Sequence, residues 1–179
     1  MKIAAIGRGN VGGGLARLWR AAGHDVTEIG REGGDVSDAD VLLVAVPSDS
    51  IAEALGKVEG LEGKVAIDAT NAFGGRNDEF PSLAHEVKSI TRGPVAKSFN
   101  LNFAVLYDRI AAEDVPPSNL YAADEEARGV TEQLIRDAGY EPVYAGDLGQ
   151  ARALEEMLSV LMAVNRAGLG AHFYRFYAP

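Results

Sequence analysis

Six residues near the amino terminus, Gly7-Arg8-Gly9-Asn10-Val11-Gly12, leave few architectures open to this chain. They follow directly on a short apolar strand pattern, Lys2 to Ile6. They also open a stretch in which Val11, Leu15, Leu18 and Ala22 recur at helical spacing until Gly23 supplies a stop. A glycine turn in that context is the fingerprint of a dinucleotide site, and each glycine has its own task. Gly7 permits the tight turn, Gly9 lets the backbone approach a pyrophosphate, and Gly12 lets the helix lie close against the strand. Asn10 and Val11 then contribute first-turn amides, which face the phosphates along the helix dipole.

Strand and helix patterns alternate through the rest of the chain, which predicts an α/β fold, a Rossmann-type doubly wound, mostly parallel sheet. Asp25 to Ile29 is the second expected strand. The glycine-rich polar stretch Arg31 to Asp38 leaves no room for the usual crossover helix. Val41 to Val46, stopped by Pro47, has the look of a central parallel strand, with Ser48 placed to cap a helix over Asp49 to Lys57. Further strands are expected at Lys64 to Asp68, Val95 to Phe99, Leu120 to Ala122 and Pro142 to Tyr144. The matching helices are Ser82 to Lys88, Phe103 to Ala112, Glu125 to Ala138 and a long final one from about Ala151 to Ala167. No repeat or linker interrupts the 179 residues, so one domain is expected, ending in that helix and an aromatic tail.

Coenzyme choice is made at the end of the second strand, where NAD enzymes place an acid on the ribose 2′-hydroxyl. Here stand Gly30 and Arg31. Lack of a carboxylate and presence of a guanidinium favour NADP(H), whose 2′-phosphate an arginine pairs bidentately. Arg8 either assists on the phosphate or adenine side or is an exposed arginine without a partner. Ala45-Val46-Pro47 and Thr70-Asn71 leave their strands at the carboxyl edge, where ligands of open α/β sheets lie. Their backbone is expected to line the path of the nicotinamide ribose.

Composition removes the competing classes. With 26 acidic against 17 basic side chains the net charge is −9, the wrong sign for nucleic acid or anionic lipid, so a small-molecule partner is expected. There is no cysteine, and the three histidines are far apart, so no metal site is expected. The longest strictly apolar run, Val41 to Val46, is too short to span a bilayer, and the opening residues enter a strand directly instead of a leader; a cytoplasmic location is expected.

These motifs together resemble the NADP oxidoreductase family dependent on the deazaflavin coenzyme F420. The likeness extends from the glycine loop, the Gly30-Arg31 exit, Ala45-Val46-Pro47 and Asp68-Ala69-Thr70-Asn71 to Val95-Ala96-Lys97-Ser98-Phe99-Asn100, which is similar to the family's Lys-Ala-Phe-Asn segment. It continues into Ala145-Gly146-Asp147-Leu148 and Ala151 to Glu155. The resemblance implies hydride exchange between NADPH and a flavin-like or deazaflavin acceptor. Such transfer needs close stacking of two rings more than it needs a strong acid or nucleophile.

Lys97, one of five lysines, is the candidate proton donor were a carbonyl or imine the acceptor, and Asn100 the candidate holder of a carboxamide or carbonyl. A salt-bridged or surface role for Lys97 and helix capping for Asn100 are the structural alternatives. At the level of function, the alternatives are a catalytically idle NADP(H)-sensing module and a reductase of a small carbonyl or imine. The tail His172 to Tyr177 holds four of the thirteen aromatics and serves either as a ring-stacking wall or as an anchor for the terminus or a subunit contact. The final helix, with Leu154, Met157, Leu158, Leu161 and Met162 apolar, either covers the sheet or pairs with a second subunit; a homodimer is expected.

Overall fold

Glycine, proline and polar punctuation divide the chain into strands β1 (Lys2–Ile6), β2 (Asp25–Ile29), β3 (Gly34–Asp35), β4 (Val41–Val44), β5 (Val58–Glu59), β6 (Val65–Asp68), β7 (Val95–Lys97), β8 (Ser118–Ala123) and β9 (Glu141–Gly146). The helices are α1 (Asn10–Ala21), α2 (Ile51–Leu55), α3 (Leu83–Thr91), α4 (Glu125–Asp137) and α5 (Ala151–Val164). They come from a computed structural model that describes residues 1–177. Seven strands form one sheet in the order β2-β1-β4-β6-β7-β8-β9, parallel throughout except where β8 runs against β7. β3 and β5 pair separately.

Alternation along each strand divides the core between the two sheet faces. Ile3, Ala5, Leu43 and Ile67 meet Leu15 and Trp19 of α1 and Leu134 and Ile135 of α4. Ala4, Ile6, Leu42, Val44 and Ala66 meet Ile51 and Leu55 of α2 and Leu83 and Val87 of α3. On β8, Leu120 and Ala122 are covered by Leu154 and Leu161 of α5. Trp19 belongs to packing: its indole N–H donates to the Leu134 carbonyl at 2.8 Å, joining α1 to α4 inside the core. Helices on both faces make the sheet doubly wound, as expected.

Several boundaries differ from expectation for local reasons. The expected strand Val41 to Val46 ends at Val44, and the expected helix Asp49 to Lys57 is a single 3₁₀ turn followed by the five residues of α2. Ser48 does not cap it; its Oγ accepts instead from the Gly74 amide at 3.1 Å. Strand β7 stops at Lys97 because Phe99 adopts the left-handed φ of 61°. Residues 104–112 wind as 3₁₀ turns, and the last helix gives way at Asn165 to one wide turn containing Gly168 at φ 118°. Between β2 and β4 there is no helix, as the polar stretch predicts.

The tail is an anchor. The Tyr174 carbonyl accepts from the Ser118 amide at 2.9 Å, its hydroxyl accepts from the Leu120 amide at 3.1 Å, and the Phe176 amide donates to Ser118 Oγ at 2.9 Å. Among the described residues no helix is long and apolar enough to cross a membrane.

Candidate functional site: the carboxyl rim of the sheet

Strand register sets the site. Ile29, Ile6, Val44, Asp68 and Lys97 are neighbours in one row across five parallel strands. The residues that follow them, Gly30, Gly7, Ala45, Ala69 and Ser98, therefore emerge together at the carboxyl rim. From β1 the chain goes outward to β2 and then returns to β4 on the other side of β1, so the strand order reverses between β1 and β4. Ligands of open α/β sheets bind in the crevice at such a switch point.

A cavity of about 860 Å³ opens there, lined by Gly7, Arg8 and Gly9 from the first turn, Gly30 and Arg31 from the end of β2, and Ala45, Val46 and Pro47 from the end of β4. All eight were marked by the sequence. The glycines divide their tasks as expected. A Cβ on Gly7, whose φ is 108°, would lie 2.2 Å from the Ala45 carbonyl oxygen, and one on Gly12 would lie 1.9 Å from the Gly7 carbonyl oxygen. A Cβ on Gly9 would meet nothing within 4 Å, so its bare backbone faces the cavity side, where a pyrophosphate needs close approach. Asn10, Val11 and Gly12 form the first turn of α1, which no side chain caps and which contains no acidic residue. Its amides and dipole suit an anion. The residues present thus fit a dinucleotide.

The exit of β2 departs from expectation. The chain reverses after Arg31, with the Gly33 amide donating to the Gly30 carbonyl at 3.2 Å, and this brings the Glu32 carboxylate back over Gly30. A Cβ on Gly30 would sit 2.5 Å from Glu32 Oε2 and 1.9 Å from Arg8 Nη2. Arg8 and Glu32 pair at 3.1 Å. The acid absent from the usual position is therefore supplied two residues later, and Arg8 is not without a partner. Arg31 lies toward α2. The Glu53 carboxyl is held below its ordinary range by its hydrogen bond to Lys57, then by the charge of Lys57 and, more weakly, of Arg31. Glu32, Glu53 and Lys57 line the cavity and were missed. The Glu53/Lys57 pair was visible as an i,i+4 spacing; the return of Glu32 depends on a turn that propensity does not specify.

Thr70, Asn71, Lys97 and Asn100 form a second group at the ends of β6 and β7, apart from the residues lining the cavity. Lys97 is completely buried. Its ammonium donates to Asp68 Oδ2 at 2.8 Å and the Thr70 carbonyl at 2.6 Å, and lies 3.3 Å from Glu155 Oε1. Glu155 in turn accepts from Arg76 Nε at 2.8 Å and the Leu83 amide at 2.9 Å. Two cations and two carboxylates thus close a neutral cluster, which keeps buried charge tolerable. Lys97 exposes no surface to a ligand, and of the roles open to it from sequence this geometry holds the salt-bridged one. The Thr70 hydroxyl is likewise occupied, donating to Asp68 Oδ1 at 2.6 Å.

Above this cluster Asn71 and Asn100 bind each other. Asn71 Nδ2 donates to the Asn100 carbonyl at 2.8 Å, and Asn100 Nδ2 donates to Asn71 Oδ1 at 3.2 Å and to the Leu154 carbonyl at 3.1 Å. Asn100 Oδ1 is buried with no partner among the described residues. Phe99 makes this arrangement possible. Its left-handed backbone turns the chain, and its ring is clamped edge-on by Trp19 at 5.7 Å and Tyr140 at 6.4 Å. Strain of this kind persists where surrounding packing over-determines it, and it clusters at functional sites.

No protein-family model matches the chain, and no curated protein matches it. Solved structures do. A protein from Arthrobacter sp. FB24, provisionally named an F420-dependent NADP reductase, superposes with a TM-score of 0.85 at 23% identity over 100% of both chains. A reductive aminase from Aspergillus terreus, in complex with NADPH, gives 0.67 at 17% identity, and an imine reductase variant from Myxococcus stipitatus, in complex with NAD+, gives 0.70 at 19%. The chain spans 62% of each of these last two, while they cover 93% of it. At such identities the likeness establishes the fold: this chain has the doubly wound α/β fold that these proteins share.

Proposed function

We propose that this protein is an NADP(H)-dependent oxidoreductase that transfers a hydride between the nicotinamide and a flavin-like or deazaflavin acceptor. The observation that carries this reading is the glycine turn packed against Ala45 at the β1/β4 switch point, opening on a cavity with room for a dinucleotide. The bound coenzyme supplies the hydride chemistry. The chain's own residues hold and orient it: Gly9 and the first turn of α1 receive the pyrophosphate, Ala45 to Pro47 form one wall, and the Asn71/Asn100 pair bounds the rim beyond.

A ring acceptor suits the site because reduction of a carbonyl or imine needs a proton donor, and Lys97 is sealed in its ion cluster. The neighbour provisionally named an F420-dependent NADP reductase, matching along its whole length, supports the same choice. The reading includes a homodimer through α5, where Val160 and Val164, with Leu169 beyond the helix end, stand exposed.

The test is to mix the protein with NADPH and either coenzyme F420 or a common flavin and follow nicotinamide absorbance. Oxidation with one of these acceptors is expected. Tight NADPH binding without oxidation by any acceptor would favour a sensing module, and turnover of a carbonyl or imine without flavin would favour the small-substrate reductase.

A further inference from the structure

The end of β2 carries both signatures used by dinucleotide enzymes, a guanidinium suited to a 2′-phosphate and a carboxylate suited to a 2′-hydroxyl, folded over one glycine. We propose that Arg8 reads the 2′-phosphate of NADP(H) and that Glu32 is its built-in competitor, so that residues 8, 30 and 32 set the choice between the two nicotinamide coenzymes. This rests on the dinucleotide reading above and adds to it the residues that select.

Three observations carry the assignment. First, Arg8 lies in the turn that holds the pyrophosphate but sends its guanidinium across the cavity to the β2 exit, within 3.1 Å of Glu32. It thus spans the two places where a dinucleotide carries its phosphates. Second, the space for that guanidinium exists because residue 30 has no side chain: a Cβ there would lie 1.9 Å from Arg8 Nη2 and 2.4 Å from its Cζ. Gly30 is not among the residues with positive φ, so the glycine serves this contact and no backbone requirement. Third, Arg31 lines the same cavity as Glu53 of α2 and Lys57 just past its end, and its charge helps hold the Glu53 carboxyl low.

The pairing also fixes how each coenzyme is met. Both side chains are more than half exposed, at 53% and 64%, and an ion pair so exposed is weak. A phosphate dianion offers the guanidinium a stronger bidentate partner and repels the carboxylate, so Glu32 yields its place. A 2′-hydroxyl displaces nothing; it donates to the carboxylate while Arg8 remains paired. Glu32 therefore acts as an internal stand-in for the phosphate, lowering affinity for NADP(H) while giving NAD(H) a partner.

Binding of adenosine 2′,5′-bisphosphate, 5′-AMP, NADPH and NADH, measured by calorimetry on the full chain, separates the roles without needing any acceptor. Arg8→Ala is expected to weaken the bisphosphate and NADPH about tenfold or more, with 5′-AMP and NADH changed by less than about threefold. Arg31→Ala should cost less. Glu32→Gln should tighten NADPH by about threefold and weaken NADH, since it frees Arg8 and removes the stronger acceptor. Gly30→Ala keeps every charge and a permitted backbone, so its melting temperature should hold while the bisphosphate binds more weakly, by less than in Arg8→Ala, as the guanidinium is pushed from its place. Equal losses for both nucleotides in Arg8→Ala, or weaker NADPH binding in Glu32→Gln, would overturn the assignment while leaving dinucleotide binding intact. Failure of all four ligands to bind the unaltered protein would overturn both.

Discussion

A glycine at position 12 is required by contact, because the carbonyl of Gly7 already occupies the place of its side chain. Gly12→Ala must push α1 away from the first turn. We expect about 3 kcal/mol of lost stability in urea unfolding, at the upper end of overpacking costs, together with loss of coenzyme binding. Lys97 presents the opposite case, a side chain that nothing smaller replaces. Lys97→Ala leaves Asp68 and Glu155 buried side by side without their shared cation, at an expected cost of about 3–5 kcal/mol. Denaturant melts should register that loss, while the pH profile of turnover by the folded fraction should keep its shape, which a proton donor's removal would not permit. The glycines were legible because their task is local to six residues. The burial of Lys97 was not, because its partners Asp68 and Glu155 come from distant stretches and converge only through strand register and the docking of α5.

At the level of elements, helix α3 shows how a buried acid ties stability to pH. Glu86, in its first turn, is held above the ordinary carboxylate range by burial and then by the charge of Asp68. A group raised in the folded state binds its proton more tightly there than in the unfolded chain. Its contribution is therefore fully present below the unfolded carboxylate range and is lost as pH rises through the folded value. Glu86→Gln should accordingly raise the melting temperature at pH 8, and the gain should vanish as pH falls through the ordinary carboxylate range. Periodicity located the elements better than it typed them. The apolar spacing over 103–112 fits a helix, yet the segment winds as 3₁₀ turns. The pairing of β3 with β5 joins two-residue stretches that have no alternation to detect. Where the pattern is long and backed by glycine or a cap, as in α1 and α4, expected and observed limits nearly coincide.

For the whole molecule, the stretch after β2 holds no crossover helix: among the described residues no strand lies beyond β2, and the Arg31–Glu32 turn bounds the cavity at the switch point together with Glu53 and Lys57. That shortening was evident in the polar stretch, whereas the carboxylate it returns to the rim was not. The exposed apolar residues of α5 give the assembly prediction: light scattering should report twice the monomer mass, and Val160→Glu should shift it toward the monomer by placing charge in the apolar contact. Glu155 gives this surface mechanical reach, since one carboxylate grips Arg76 in the segment after Asn71, the opening amide of α3 and the ammonium at the end of β7. The final helix is thus fastened through a single side chain to three separate stretches of chain, and Glu155 cannot be withdrawn without releasing all three together.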